Sequence, residues 1–120
     1  MVASIAGAEP AARVVTEGGA VLGPQLHLYR VDHDRMDAGF LAGCLRFAGP
    51  ARTASGGASR VDARRLRVPR LSLDEQREYG RTFRELTALE DRLRETAALG
   101  ESLVRLGFDG LACGRLRPLA

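Results

Sequence analysis

"RVPRLSLDEQREYGRTF" spans residues 67 to 83 and joins two kinds of chain. Its first half is basic and extended, because Pro69 fixes its own φ and drives Val68 away from helical geometry. From Ser72 the composition changes. Ser72-Leu73-Asp74-Glu75 matches a capping box: the Ser72 hydroxyl accepts from the Glu75 amide while the Glu75 carboxylate reaches back to the Ser72 amide. Two acids at that point also suit the positive end of a helix. Beyond them Tyr79, Phe83, Leu86, Leu89, Leu93 and Ala97 recur every three or four residues, which makes one apolar stripe. Gly80 lies inside this helix at a cost of about 1 kcal/mol against Ala, so close packing against a neighbouring backbone is expected there. Gly100 predicts a break or kink. Leu103, Val104, Leu106, Phe108 and Leu111 then form a second stripe, and Gly114 and Pro118 close the chain. Residues 72 to 118 therefore read as a helical hairpin.

Working back toward the start, residues 51 to 65 are small, polar and basic, with no apolar period, and read as a loop. Leu66 and Val68 suit a short strand. In "HDRMDAGFLAGCLRFAG" (33–49) Asp37 can cap a helix, with Phe40, Leu41, Cys44 and Leu45 at helical spacing and Gly49-Pro50 as its end. Residues 13 to 32 read as strands: Val14-Val15 enter a turn at Glu17-Gly18-Gly19, Val21-Leu22 follow, and residues 26 to 31 alternate. Residues 1 to 12 show no clear period and are expected to be loose. The fold class is α+β: a small partial sheet with one short helix over 13–71, then the hairpin.

With 120 residues the chain has enough length for one core, and with aromatics at 5% and no Trp that core must come from Leu, Val and Ala. All 18 basic residues are Arg, which coding bias largely explains; their placement it does not. Residues 46 to 70 hold seven arginines against the single acid Asp62, whereas residues 74 to 101 hold eight acids against five arginines. A basic segment beside an acidic amphipathic helix suggests a polyanion surface next to a partner-facing element.

Enzyme signatures are missing. No glycine-rich loop has phosphate-binding spacing, and Gly18-Gly19 and Gly56-Gly57 read as turns. His27 and His33 lack a partner cluster with zinc-like spacing, so "VDHD" reads as a solvated turn and no metal or cofactor is expected. Ser55 and Ser59 have no neighbouring His to activate them. Cys44 and Cys113 make no disulfide framework and read as reduced, buried small hydrophobes. The start resembles no signal peptide and no apolar run approaches membrane length, so a soluble cytoplasmic protein is expected.

"GGAVLGPQLHLYRVDHDRMDAGFLAGCLR" followed by "ARTASGGASRVDARRLRVPRLSLDEQREYGRTFRELTALEDRLR" resembles the DNA target-recognition region of type I restriction specificity subunits. The likeness is greatest to the copy at the carboxyl end of adenine-specific DNA methylases. Asp37-Ala38-Gly39-Phe40-Leu41 matches that family's D-x-x-F-L pattern, Ala54-Ser55 and Ala58-Ser59-Arg60 its basic Ser/Ala loop, and Val68-Pro69 with Leu73-Asp74-Glu75-Gln76 its V-P strand and L-x-E-Q. Gly110-Leu111, Gly114, Leu116 and Pro118 match its closing GL-x-x-G-x-L-x-P. The likeness covers about residues 18 to 118; Ser72 and Gly107 depart where many relatives carry Pro and Ala.

The resemblance implies non-catalytic DNA recognition in a restriction–modification or methylation complex. The catalytic methylase domain, with its cofactor glycine motif and Asn/Asp-Pro-Pro-aromatic motif, is absent from this sequence, as is the first half of the recognition globule. That pattern suggests the tail of a larger protein, a split gene product or a degenerate remnant. Arg52, Arg60, Arg64 and Arg65 would hold phosphates of duplex DNA, with Thr53, Ser55 and Ser59 reaching bases or backbone. Tyr79, Phe83, Leu86, Leu89, Leu93 and Ala97, spanning roughly 27 Å of helix, would bind a methylase subunit or a second copy. The alternative is a small helical protein–protein interaction module whose basic loop meets an acidic partner.

Overall fold

A computed structural model describes residues 1–5, 11–19, 21, 23, 24, 26–47 and 67–119. Three short strands, β1 (Val2–Ile5), β2 (Ala11–Val14) and β3 (Leu26–Tyr29), precede helix α1 (Ala38–Phe47) and a second helix, α2 (Leu73–Ala112). The α+β class read from the sequence is the class observed.

The sheet has the order β2-β1-β3 with both pairings antiparallel. Val2 is the central residue: it lies opposite Val14 on one side and Tyr29 on the other, and its side chain is wholly buried. Directly opposed residues share a face, so Val2, Ala12, Val14 and Tyr29 form one surface. Helix α1 covers it with Ala38, Ala42 and Leu45, and Val31 completes the cluster. Leu28, one residue out of phase, is exposed. The cluster is thus made of small aliphatics, as the scarcity of aromatics requires, and among the described residues Phe40 is the one fully buried ring.

Four expectations are corrected. Within the segment expected to be loose, residues 2 to 5 form β1, the middle strand of the sheet, and residues 11 and 12 open β2; four residues are too few to show a period, yet both edges of β1 are paired. The strand expected after the Glu17-Gly18-Gly19 turn is not found at Val21, which stands exposed outside any strand, and β2 pairs with β1 instead. Val68 lies in irregular chain rather than a strand.

The fourth correction is the largest. No hairpin turn occurs at Gly100, and α2 runs unbroken for 40 residues. A lone glycine costs a helix about 1 kcal/mol but supplies no turn, and Ala97, Ala98 and Leu99 before it are strong helix formers.

The chain divides into two compact units, Met1–Glu85 and Leu86–Ala120, so the first unit reaches into α2 beyond the expected boundary at 71. In the second unit α2 ends on a glycine cap. Gly114 takes φ +73°, the Gly114 amide donates to the Leu111 carbonyl at 3.1 Å, and the Leu116 amide donates back to the Gly110 carbonyl at 2.8 Å. A side chain at Gly110 would run into Leu116. The glycines, Leu116 and the following Pro118 are a helix stop.

Candidate nucleic-acid interface and assembly helix

The junction at residues 71–84 is held by polar contacts of high definition. The Glu75 carboxylate accepts from both the amide and the hydroxyl of Ser72 at 2.8 Å, and the Glu75 amide donates to the Ser72 hydroxyl at 3.3 Å. These bonds hold the Glu75 carboxyl below its ordinary pKa. The capping box expected from the sequence is present.

Its neighbour Gln76 turns the other way and is buried. The Gln76 Oε1 accepts from the Asp37 amide at 3.1 Å, and its Nε2 donates to the Leu71 carbonyl at 3.1 Å. Asp37 in turn caps α1, its Oδ1 accepting from the Phe40 amide at 2.9 Å, and pairs with Arg84 at 3.8 Å. One glutamine therefore ties the start of α1 to the residue that enters α2.

Glycines let the two helices meet. A Cβ on Gly80 would overlap the Asp37 carboxylate and lie 2.9 Å from the Phe40 amide nitrogen. A Cβ on Gly39 would overlap Arg84 and lie 2.9 Å from the Gly80 carbonyl oxygen, and one on Gly43 would enter the Phe83 ring. The Phe40 and Tyr79 rings meet edge to face at 6.3 Å. Close backbone approach at Gly80 was legible in the sequence; Gln76 and the Gly39–Gly43 pair were missed. The signal was there in the one-turn spacing of two glycines on a short helix.

Arg52, Thr53, Ser55, Ser59, Arg60, Arg64 and Arg65 lie outside the described residues. At the described margins of that segment Phe47 is exposed, as are Arg67 and Arg70. Of the six stripe residues, Tyr79 and Phe83 also touch α1 residues, whereas Leu86, Leu89, Leu93 and Ala97 are exposed on α2. Leu103, Val104, Phe108 and Leu111 continue the exposed apolar surface.

His33 and Asp34 sit in an exposed turn in which the Asp34 amide donates to the Asp32 carboxylate at 3.1 Å. Among the described residues no three His, Cys, Asp or Glu side chains gather as a metal site, and no helix is long and apolar enough to cross a membrane. Cys44 is half-buried, which pushes its thiol up; Cys113 is exposed rather than buried as expected, because it follows the end of α2, and Arg115 donates to its Sγ at 2.9 Å and pulls that thiol down.

Comparison with models of protein families, with curated proteins and with solved structures finds no match to this chain.

Proposed function

We propose that the chain contributes DNA target recognition, without catalysis of its own, to a restriction–modification or adenine-methylation complex in the cytoplasm. The basic segment 52–65 is the DNA-contacting element and α2 the assembly element. The observation that carries this reading is the docking of Asp37 on Gln76. The two motifs that resemble the recognition family, around Asp37-Ala38-Gly39-Phe40-Leu41 and Leu73-Asp74-Glu75-Gln76, are distant in sequence, and here they hydrogen-bond directly. Two conditionally independent sequence likenesses that meet through a buried side chain argue for one functional unit rather than two chance matches.

The arginine distribution supports the same reading. Arg46, Arg67 and Arg70 flank the segment that holds Arg52, Arg60, Arg64 and Arg65, and only Asp62 offsets them. Guanidinium groups bind phosphates bidentately, and a protein that neutralises several phosphates binds any duplex at about 10⁻⁴–10⁻⁶ M before base readout adds to it. A labelled mixed-sequence duplex titrated with the full chain should bind in that range at physiological salt, more tightly at low salt, and release as salt rises. An absence of binding at low salt, with the chain folded, would reject the reading.

The exposed apolar surface of α2 favours the second reading, a protein–protein interaction module, to the extent that it predicts assembly without DNA. The two readings differ in whether duplex DNA competes with an acidic protein partner for the basic segment.

A further inference from the structure

The five residues before the capping box, Arg67 to Leu71, form a strap with two faces. Val68 and Leu71 are half-buried, whereas Arg67, Pro69 and Arg70 are exposed. Pro69 fixes its own φ and keeps Val68 out of helical geometry. At the end of the strap the Leu71 carbonyl accepts from the buried Gln76 Nε2 at 3.1 Å. The Ser72 amide then donates to the Glu75 carboxylate at 2.8 Å, and the Gln76 Oε1 holds the Asp37 amide at the start of α1. The strap is thus stiffened in its middle and tied at its end to both helices, all within the first compact unit.

Its two arginines are uncommitted. Neither Arg67 nor Arg70 makes an ion pair or a side-chain hydrogen bond among the described residues. The nearest carboxylates downstream are engaged elsewhere: Asp74 pairs with Arg77 at 2.9 Å, and Glu75 accepts from both the amide and the hydroxyl of Ser72. An exposed guanidinium without a carboxylate is open to another anion, and phosphate suits its fork. Most such cations on a surface are simply solvated. These two differ because their backbone is already held, so less freedom is lost when they bind.

We infer that Arg67 and Arg70 are phosphate contacts for duplex DNA, placed by Pro69 and by Gln76 acting through Leu71. The inference rests on the reading of the basic segment as the DNA-contacting element and adds two residues to it. Contacts to phosphate fix register and orientation and carry no sequence information. The strap therefore seats the unit on the duplex, equally for every sequence.

The test measures duplex binding by the full chain across a salt series. Arg67→Gln with Arg70→Gln should make the slope of log affinity against log salt shallower by about two units, near 0.9 for each phosphate. The loss should be the same on duplexes of different sequence. Pro69→Gly keeps every charge and loosens the strap. It should weaken binding about two- to fivefold at the wild-type slope, and should have no effect once both arginines are replaced. An unchanged slope in the arginine pair, with Arg60, Arg64 and Arg65 still contributing theirs, would overturn the inference and leave the DNA reading standing. A Pro69→Gly loss of equal size with and without the two arginines would overturn it as well, since the strap would then act only through the fold. A folded wild type that binds no duplex at low salt would overturn both.

Discussion

Asp37 and Gln76, 39 residues apart in sequence, share a hydrogen bond of 3.1 Å from the Asp37 amide to the Gln76 Oε1. The same side chain donates to the Leu71 carbonyl. Gln76→Leu keeps the volume and leaves both backbone groups without that partner in a half-buried site. Each orphaned group costs about 1–3 kcal/mol, so denaturant unfolding of the variant should show a loss of about 2–6 kcal/mol. A loss under about 0.5 kcal/mol, the level of an ordinary surface change, would show that water replaces the glutamine without cost.

Gly80→Ala should also destabilise, although Ala is the better helix former. The added methyl would overlap the Asp37 carboxylate, displacing the α1 cap and its contact with Arg84. Overpacking of this kind costs about 1–3 kcal/mol, more than the roughly 1 kcal/mol gained in propensity. Thermal unfolding of the variant should give a lower Tm, and an equal or higher Tm would refute the close approach.

These two residues show what the sequence could and could not disclose. The capping box and the Asp37 cap are local features, readable from short-range chemistry, and a glycine inside a helix at Gly80 signals a close contact without naming its partner. The Gln76 tie joins two distant segments, and nothing local distinguishes it from a solvated helix residue. β1 was invisible because four residues carry no period. The hairpin was expected from Gly100 and the second stripe beyond it; α2 instead continues through Gly100, and Leu86, Leu89 and Leu93 are exposed. The candidate DNA segment was legible as charge alone, because charge placement needs no fold to be seen.

The start of α2 should respond to acid. The Glu75 carboxyl sits below its ordinary value of 4.5 because Ser72 hydrogen-bonds the ionised form. Its folded pKa is therefore lower than its unfolded one, so its contribution is complete above about pH 4.5 and is lost as pH falls through the depressed value. Glu75→Gln removes this titration. Helicity followed from pH 6 to pH 2 should show a smaller acid-dependent decline in the variant, and identical profiles would contradict the assignment.

The two thiols should differ in reactivity. Arg115 lowers the pKa of the exposed Cys113 while burial raises that of Cys44. The thiolate is the nucleophile, so a chromogenic disulfide at pH 7.5 should react in two phases. Cys113→Ser should abolish the fast phase, and Arg115→Ala should slow it. A fast phase that survives Cys113→Ser would assign it to Cys44 and contradict the burial argument.

The central claim is that residues 52–65 neutralise DNA phosphates, and its most direct test is the salt dependence of duplex binding. Each phosphate contact contributes about −0.9 to the slope of log affinity against log salt. Replacing Arg60, Arg64 and Arg65 together with Ala should make that slope shallower by about two to three units. The helix contacts at Ser72, Glu75 and Gln76 lie outside the substitution and should keep the fold intact. A flattened slope of that size is the predicted result; a triple variant that binds duplex DNA with the wild-type slope would contradict the account.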